Sequence, residues 1–427
     1  MGFLVTILAT VVVVHFYLWW RLVRSTTRPG SRARRVLTWT LVGLAVPLVA
    51  TRAGGRIAGV GFERVVAWPG YLWLALMFYL VVFSVLVEVP RAVALLPAKR
   101  AGRREAAASV MAPSAMPVAA GSGAPLAEAG ASGSPPHEQQ AGGAGIDRRL
   151  FISRTAAAVA GAGALATVGY GVTRALGDPV IERVPVRLPR LDPRMDGLRL
   201  AVVSDIHLGP LTGKGHTERI VRMINGLRAD VVTIVGDLVD GSVAELGPLA
   251  APLRSLESRY GAYFVTGNHE YYTAEGPREW IDELDSLGVR SLRNERVEIR
   301  HAGAVLDLAG VNDLNGQASG DGPDLGSALG GRDAGRPVVL LAHQPVQVRE
   351  AAAHGVDLQL SGHTHGGQMA PFNLIVPLQQ PVVAGLASFP RAGGGDTQIY
   401  VTRGAGYWGP PVRVGAPPEI TLIELHA

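Results

Sequence analysis

A chain of 427 residues has room for two or three domains, and a mean hydropathy of +0.23 is too high for a water-soluble enzyme alone, so a membrane component is expected. A net charge of +5 would suit a nucleic-acid binder, but many of the arginines flank apolar runs and no basic surface interleaved with aromatics is legible, so no nucleic-acid partner is expected. The absence of cysteine excludes structural disulfides and thiolate metal sites.

Phe3 to Trp20 is almost purely apolar, Val36 to Ala50 is a shorter run, and Tyr71 to Val87 is a third. About 20 apolar residues cross a bilayer. Trp19, Trp20, Trp68 and Trp73 stand near the ends of these runs, as interfacial aromatics do, although the second run is also short enough for a buried core helix. Arg21, Arg24, Arg28, Arg32, Arg34 and Arg35 lie between the first two runs, against Arg52, Arg56, Glu63 and Arg64 in the loop expected between the second and third. The arginine-rich side belongs in the cytoplasm, which puts the N-terminus outside and the segment after Val89 inside. Residues 1–100 therefore read as a multi-span transmembrane region of the cell membrane.

Residues 101–147 are dominated by Ala, Gly, Ser and Pro. Such a segment buries too little apolar surface to offset the entropy of ordering, and reads as a disordered linker. Within 148–178, Arg148-Arg149 is followed two positions on by Phe151 and then by a weakly apolar, small-residue run from Thr155 to Val172. This pattern resembles a twin-arginine export signal placed internally, which would make the twin-arginine translocase a partner. An ordinary anchor flanked by arginines is the other reading. Ala164-Leu-Ala166 has the small-x-small form of a cleavage site, but it falls inside the apolar run, which favours retention as a fourth span. Either reading carries the C-terminal part of the chain across the membrane, so the domain at 179–427 is expected outside the cytoplasm.

In that domain, five apolar runs of strand type each end in a possible metal ligand. Leu200-Ala-Val-Val precedes Asp205-Ile-His207, Val231-Val-Thr-Ile-Val precedes Gly236-Asp-Leu-Val-Asp240, and Tyr263-Phe-Val precedes Gly267-Asn-His-Glu270. Val338-Val-Leu-Leu precedes His343, and Leu358-Gln-Leu precedes Gly362-His-Thr-His365. Loops leaving the carboxyl ends of neighbouring strands converge on one crevice. Imidazole, carboxylate and amide oxygen together suit Mn, Fe or Zn, and Asp237 is the carboxylate best placed to bridge two cations. Helical spacing of Ile220, Val221, Ile224 and Leu227, and of Trp280, Ile281, Leu284 and Leu287, places helices between the strands, so the fold class is α/β.

The series Asp-x-His, Gly-Asp-x-x-Asp, Gly-Asn-His-Glu, His and Gly-His-x-His resembles the calcineurin-like metallophosphoesterases. With Gly362-His-Thr-His-Gly-Gly-Gln368, Tyr400-Val-Thr-Arg-Gly404 and Pro418-Glu-Ile420, it is similar to the bacterial membrane-associated branch typified by YkuE and YaeI. The likeness runs from about Leu198 to Leu425. It implies a two-sheet sandwich with helices outside and two divalent transition metal ions. Asp205, His207 and His365 would hold one ion, Asn268, His343 and His363 the other, and Asp237 would bridge them. The implied reaction is hydrolysis of a phosphate ester by metal-activated water, on a phosphorylated small molecule or lipid. His269, unneeded as a ligand, is the candidate proton donor to the leaving oxygen, with support of a ligand as its alternative role. Asp240 and Glu270 are expected to orient ligating or catalytic histidines. Arg403 and Arg413 are candidate phosphate contacts, and Tyr271, Tyr272 and Trp408 candidate pocket walls. A pyrophosphatase of lipid-linked nucleotides shares this mechanism, and a catalytically silent metal-binding scaffold shares the fold.

Overall fold

The computed structural model describes residues 2–90, 142–273, 275–391 and 394–427. The chain divides into two compact units, Met1–Gly43 with Leu76–Leu165, and Leu44–Ala75 with Ala166–Ala427. The first apolar run forms the helix Gly2–Leu18, continued by a wider turn at Trp19–Arg24. Ser31 then starts a new helix, its hydroxyl oxygen accepting from the Arg34 N–H at 3.2 Å. That helix runs unbroken over Arg32–Leu86. The loop expected around Arg52 to Arg64 is therefore helical. Pro47 and Pro69 lie inside the helix. Each removes only its own N–H from the ladder, a loss that apolar helices tolerate when neighbouring groups satisfy the freed carbonyl.

The linker expected over 101–147 lies outside the described residues as far as 141, while residues 142–147 open the helix Gly142–Leu176. Arg148 and Arg149 are on that helix and exposed. Among the described residues, three helical stretches are long and apolar enough to cross a membrane, at Arg32–Thr51, Val65–Pro90 and Arg148–Leu176.

From Val180 onward the strand-type runs pair into two six-stranded sheets. The first has the order β1 (Val180–Arg187), β12 (Glu419–His426), β2 (Leu198–Val203), β3 (Val231–Val235), β4 (Ala262–Val265) and β5 (Val289–Ser291). The second has β10 (Gly385–Pro390), β11 (Asp396–Val401), β9 (Leu358–Ser361), β8 (Val338–Leu341), β7 (Ala304–Gly310) and β6 (Glu295–His301). β2, β3, β4 and β5 are parallel neighbours, as are β11, β9, β8 and β7.

The two-residue period of the strands sorts their side chains between layers. Leu200 and Val202 of β2 face inward, where they join Leu308, Val339, Leu341 and Leu360 of the other sheet in one core. Ala201 and Val203 face outward, against Ile220, Val221 and Ile224 of the helix Lys214–Gly226 and Trp280 and Leu284 of the helix Arg278–Ser286. Leu340 and Ala342 likewise pack outward on Leu325 and Ala351. The expected two-sheet sandwich with outer helices is the fold observed. The carboxyl ends of β2, β3, β4, β8, β9 and β11 all open into loops at one edge.

Candidate metal centre

The loops are tied together by backbone before any side chain is considered. The Asp205 N–H donates to Gly236 O at 3.1 Å, the His207 N–H to Asp237 O at 3.2 Å, and the Gly362 N–H to His343 O at 3.0 Å. To make these turns the chain adopts left-handed conformations at residues that are not glycine. Of the nine non-glycine residues with positive φ among the described residues, five are Asp205, His207, Asp237, His363 and His365. Such conformations persist only where surrounding structure enforces them, and they collect at functional sites. Glycine fills the closest approaches: a side chain at Gly236 would bring its Cβ to 2.5 Å from His343 Nδ1, and one at Gly404 to 2.6 Å from Asp205 Cβ.

The donor atoms converge as the sequence indicates. Asp205, His207 and His365 form one group that could hold a metal ion, Asp237, His343 and His363 a second, and His207, Asp237 and His269 a third. Nε2 of His207 and Nε2 of His365 face each other at 3.0 Å, with Asp205 Oδ1 3.3 Å from the latter. Around the other group, His343 Nε2 is buried without a hydrogen-bond partner and lies 3.2 Å from Asp237 Oδ2. Asn268 brings its Oδ1 to 2.8 Å from His363 Nδ1. Buried ring nitrogens aimed at each other and at carboxylates, one of them an orphan, fit divalent cations and fit little else.

The surrounding contacts select the ring tautomers. His343 Nδ1–H donates to Val235 O at 2.8 Å and His207 Nδ1–H to Asp240 Oδ1 at 2.8 Å, so both present an Nε2 lone pair to the centre. The same Asp240 oxygen lies 2.7 Å from His269 Nδ1. One carboxylate, that of Asp240, thus contacts two histidines. Glu270 behaves differently from expectation: its carboxylate accepts from the backbone N–H groups of Gly267 at 2.6 Å, Leu238 at 2.8 Å and Asp237 at 3.1 Å. It locks two loops together rather than a histidine ring. Burial, with the charge of Asp237, pushes its carboxyl up to about 7.

His269 projects from the loop after β4, its own N–H bonded to Asp237 Oδ1 at 2.9 Å and its Nε2 4.0 Å from Asp237 Oδ2. Burial works against its charged form, but Asp237 and Asp240 outweigh it and raise the ring to about 9. A protonated imidazole at the mouth of the centre can donate to a leaving oxygen. Tyr272 and Trp408 stand edge-on to the His269 ring, with centroids at 4.9 and 6.1 Å. Tyr272 Oη also accepts from Asn268 Nδ2 at 3.1 Å, which turns the Asn268 carbonyl oxygen toward the centre. Tyr271 points elsewhere and bonds Asp321 at 2.9 Å.

The two arginines expected at substrate phosphate are committed to the fold. Arg403 is held by Glu182 and Glu419, each at 2.6 Å. Arg413 is 1% exposed and donates to His365 O at 2.8 Å and Gly406 O at 3.0 Å, so it positions a candidate ligand loop and is committed to backbone carbonyls. Two residues that the sequence did not single out for these tasks matter instead. Gly404 makes room for Asp205, and the Gln368 amide clamps Trp408, accepting from its N–H at 2.9 Å and donating to its carbonyl at 2.9 Å.

The model of the family described as calcineurin-like phosphoesterase matches residues 198–367. A Helicobacter pylori protein named an uncharacterized metallophosphoesterase is 41% identical over 266 residues, which are 61% of this chain and 68% of that protein. The chain belongs to the calcineurin-like metallophosphoesterases. Another relative, the bovine "Transmembrane protein with metallophosphoesterase domain", is 42% identical over 268 residues, 60% of this chain but only 59% of its own length. The uncharacterized metallophosphoesterase YkuE of Bacillus subtilis is 28% identical over 288 residues, 66% of this chain and 98% of that protein. Relatives named as transmembrane proteins and the three apolar helical stretches among the described residues together point to membrane association.

Proposed function

We propose that the chain is a membrane-anchored, binuclear metal-dependent phosphoesterase acting on diesters. The observation that carries this reading is the position of Asp237, whose Oδ2 faces His343 on one side at 3.2 Å and His207 on the other at 3.9 Å, between the two groups of donors. Divalent cations held there supply Lewis acidity toward a phosphoryl oxygen and acidify bound water. Asp205, His207 and His365 would hold one, Asn268, His343 and His363 the other, and Asp237 would serve both. Asp240 keeps His207 and His269 in their tautomers, and His269 gives its Nε2 proton to the departing oxygen. Full-length protein, stripped with chelator and reloaded with Mn, Fe or Zn, is expected to recover activity as content approaches about two ions per chain, with diesters preferred over monoesters and pyrophosphates. Recovery that saturates at one ion, or no esterase activity with any metal, would remove this reading.

We also infer that the catalytic domain faces away from the cytoplasm. The unbroken Arg32–Leu86 helix leaves this resting on the Gly142–Leu176 helix, which carries Arg148, Arg149 and Arg154 toward its start and Arg174 toward its end. The more basic end belongs inside, and Arg148-Arg149 keeps the translocase as the proposed route. In cells stripped of any outer layer, added protease is expected to digest residues 179–427. Protection until the membrane is permeabilised would place the domain inside.

A further inference from the structure

The Gly-His-Thr-His loop leads directly into a segment that the metal centre does not use. From Gly366 to Pro390 there is no Asp, Glu, Lys or Arg, and Phe372–Leu374 and Val376–Leu378 form two successive tight helical turns. Their apolar side chains point outward: Phe372 is 47% exposed, Leu374 74%, Ile375 51% and Leu378 83%. Leu386 on β10 adds another exposed leucine. Among the described residues of 180–427, the only other exposed large hydrophobic side chains are Tyr272 and Trp408, the two that flank His269. The exposed large apolar side chains of the described residues in 180–427 thus fall in the segment that follows the Gly-His-Thr-His loop and beside His269.

The turns are fixed to the site. Thr364, between His363 and His365, donates its hydroxyl to Val383 O at 2.6 Å. A side chain at Gly367 would collide with Asn373, so the loop backbone and the turn lie in contact. An exposed apolar patch of this kind is covered in use by a partner, a ligand or a membrane. The same chain carries helices able to cross a bilayer, so this patch is always close to one. A segment without charge enters the headgroup boundary with no ion to desolvate, while its leucines and phenylalanine gain burial.

We propose that the turns at 372–378 dock into the surface of the membrane that anchors the chain, and thereby present the metal centre to a phosphoester carried by a lipid. The second half of this statement rests on the proposed phosphoesterase activity, and the first half does not.

The absence of cysteine makes the test direct. Leu374→Cys and Leu378→Cys, each labelled with a polarity-sensitive fluorophore in full-length protein reconstituted into phosphatidylcholine vesicles, are expected to be quenched by lipids spin-labelled high on the acyl chain and shielded from aqueous iodide. Asp282→Cys, on the helix Arg278–Ser286, should show the reverse. Labels at 374 and 378 open to iodide and untouched by the lipid quencher overturn the docking, and so do labels shielded from both, which would mean that protein covers the patch. In a hydrolysis arm, Leu374→Ser with Leu378→Ser is expected to slow cleavage of a lipid phosphoester in vesicles at least about tenfold, the equivalent of losing roughly one leucine's burial, and to leave a water-soluble ester unaffected. Equal rates on the lipid ester overturn the presentation. If the quenching pattern holds but neither ester is ever cleaved by the parent protein, docking stands and the activity proposal falls.

Discussion

Asp237→Asn is expected to reduce the bound metal from about two ions per chain to less than one, and to lower activity by more than the ~10- to 100-fold typical of losing a group that only orients a ligand. The geometry says which way the new amide will turn. Oδ1 accepts the His269 N–H at 2.9 Å, so the asparagine keeps its carbonyl there and swings its NH₂ into the place of Oδ2. That group then points donors at His343 Nε2, 3.2 Å away in the parent protein, and occupies the lone pair a cation would use. Charge is lost and a donor is gained, yet the hydrogen bond that holds the loop survives, so the fold should persist. Metal analysis on folded protein checks this. Unchanged metal content and turnover would mean that Asp237 bridges nothing.

His269→Ala has the opposite signature. Turnover should fall by about 10²- to 10⁴-fold, the range of general acid catalysis, while metal content stays near that of the parent, because the ring is assigned to the leaving oxygen and not to a cation. The loss should depend on the leaving group. A p-nitrophenolate departs without needing a proton and should be affected less than an alkyl oxygen. Similar losses for both esters would leave His269 as a contact that stabilises phosphoryl charge and not as an acid.

What was legible in the sequence was whatever is encoded within a few residues. Each candidate ligand follows its strand by two to four positions, so Asp205, His207, Asp237, Asn268, His343, His363 and His365 could be found from apolar runs and the residues that follow them, and the resemblance that those motifs carry added the two-sheet sandwich. Asp240 was legible in the same way, since it sits three residues from Asp237 on the same loop, and it lies against His207 and His269. The failures are contacts made across the chain. Arg403 finds Glu182 and Arg413 finds the His365 loop, partners brought near only by the sheet order, and no local pattern marks an arginine as already taken. Glu270 looks like a ring-orienting carboxylate beside His269, yet its hydrogen bonds go to the backbone of the β3 loop. In the N-terminal part, the charged interval from Arg52 to Arg64 between two apolar runs suggested a loop, which one continuous helix overrides.

The left-handed backbone at Asp205, His207, Asp237, His363 and His365 bears on how this centre can change over generations. A residue with a Cβ held there costs roughly 1–2 kcal/mol relative to ordinary geometry, an expense that glycine would remove at each position. Drift toward glycine therefore runs downhill for the backbone and is opposed only by the need for the ligand. Valine or isoleucine would be rejected on sterics alone, and aspartate or asparagine tolerate the conformation best among side chains that carry an oxygen. The accessible neighbours of the present site are thus few and mostly dead, and a new metal preference would have to come from the side chains that surround the ligands.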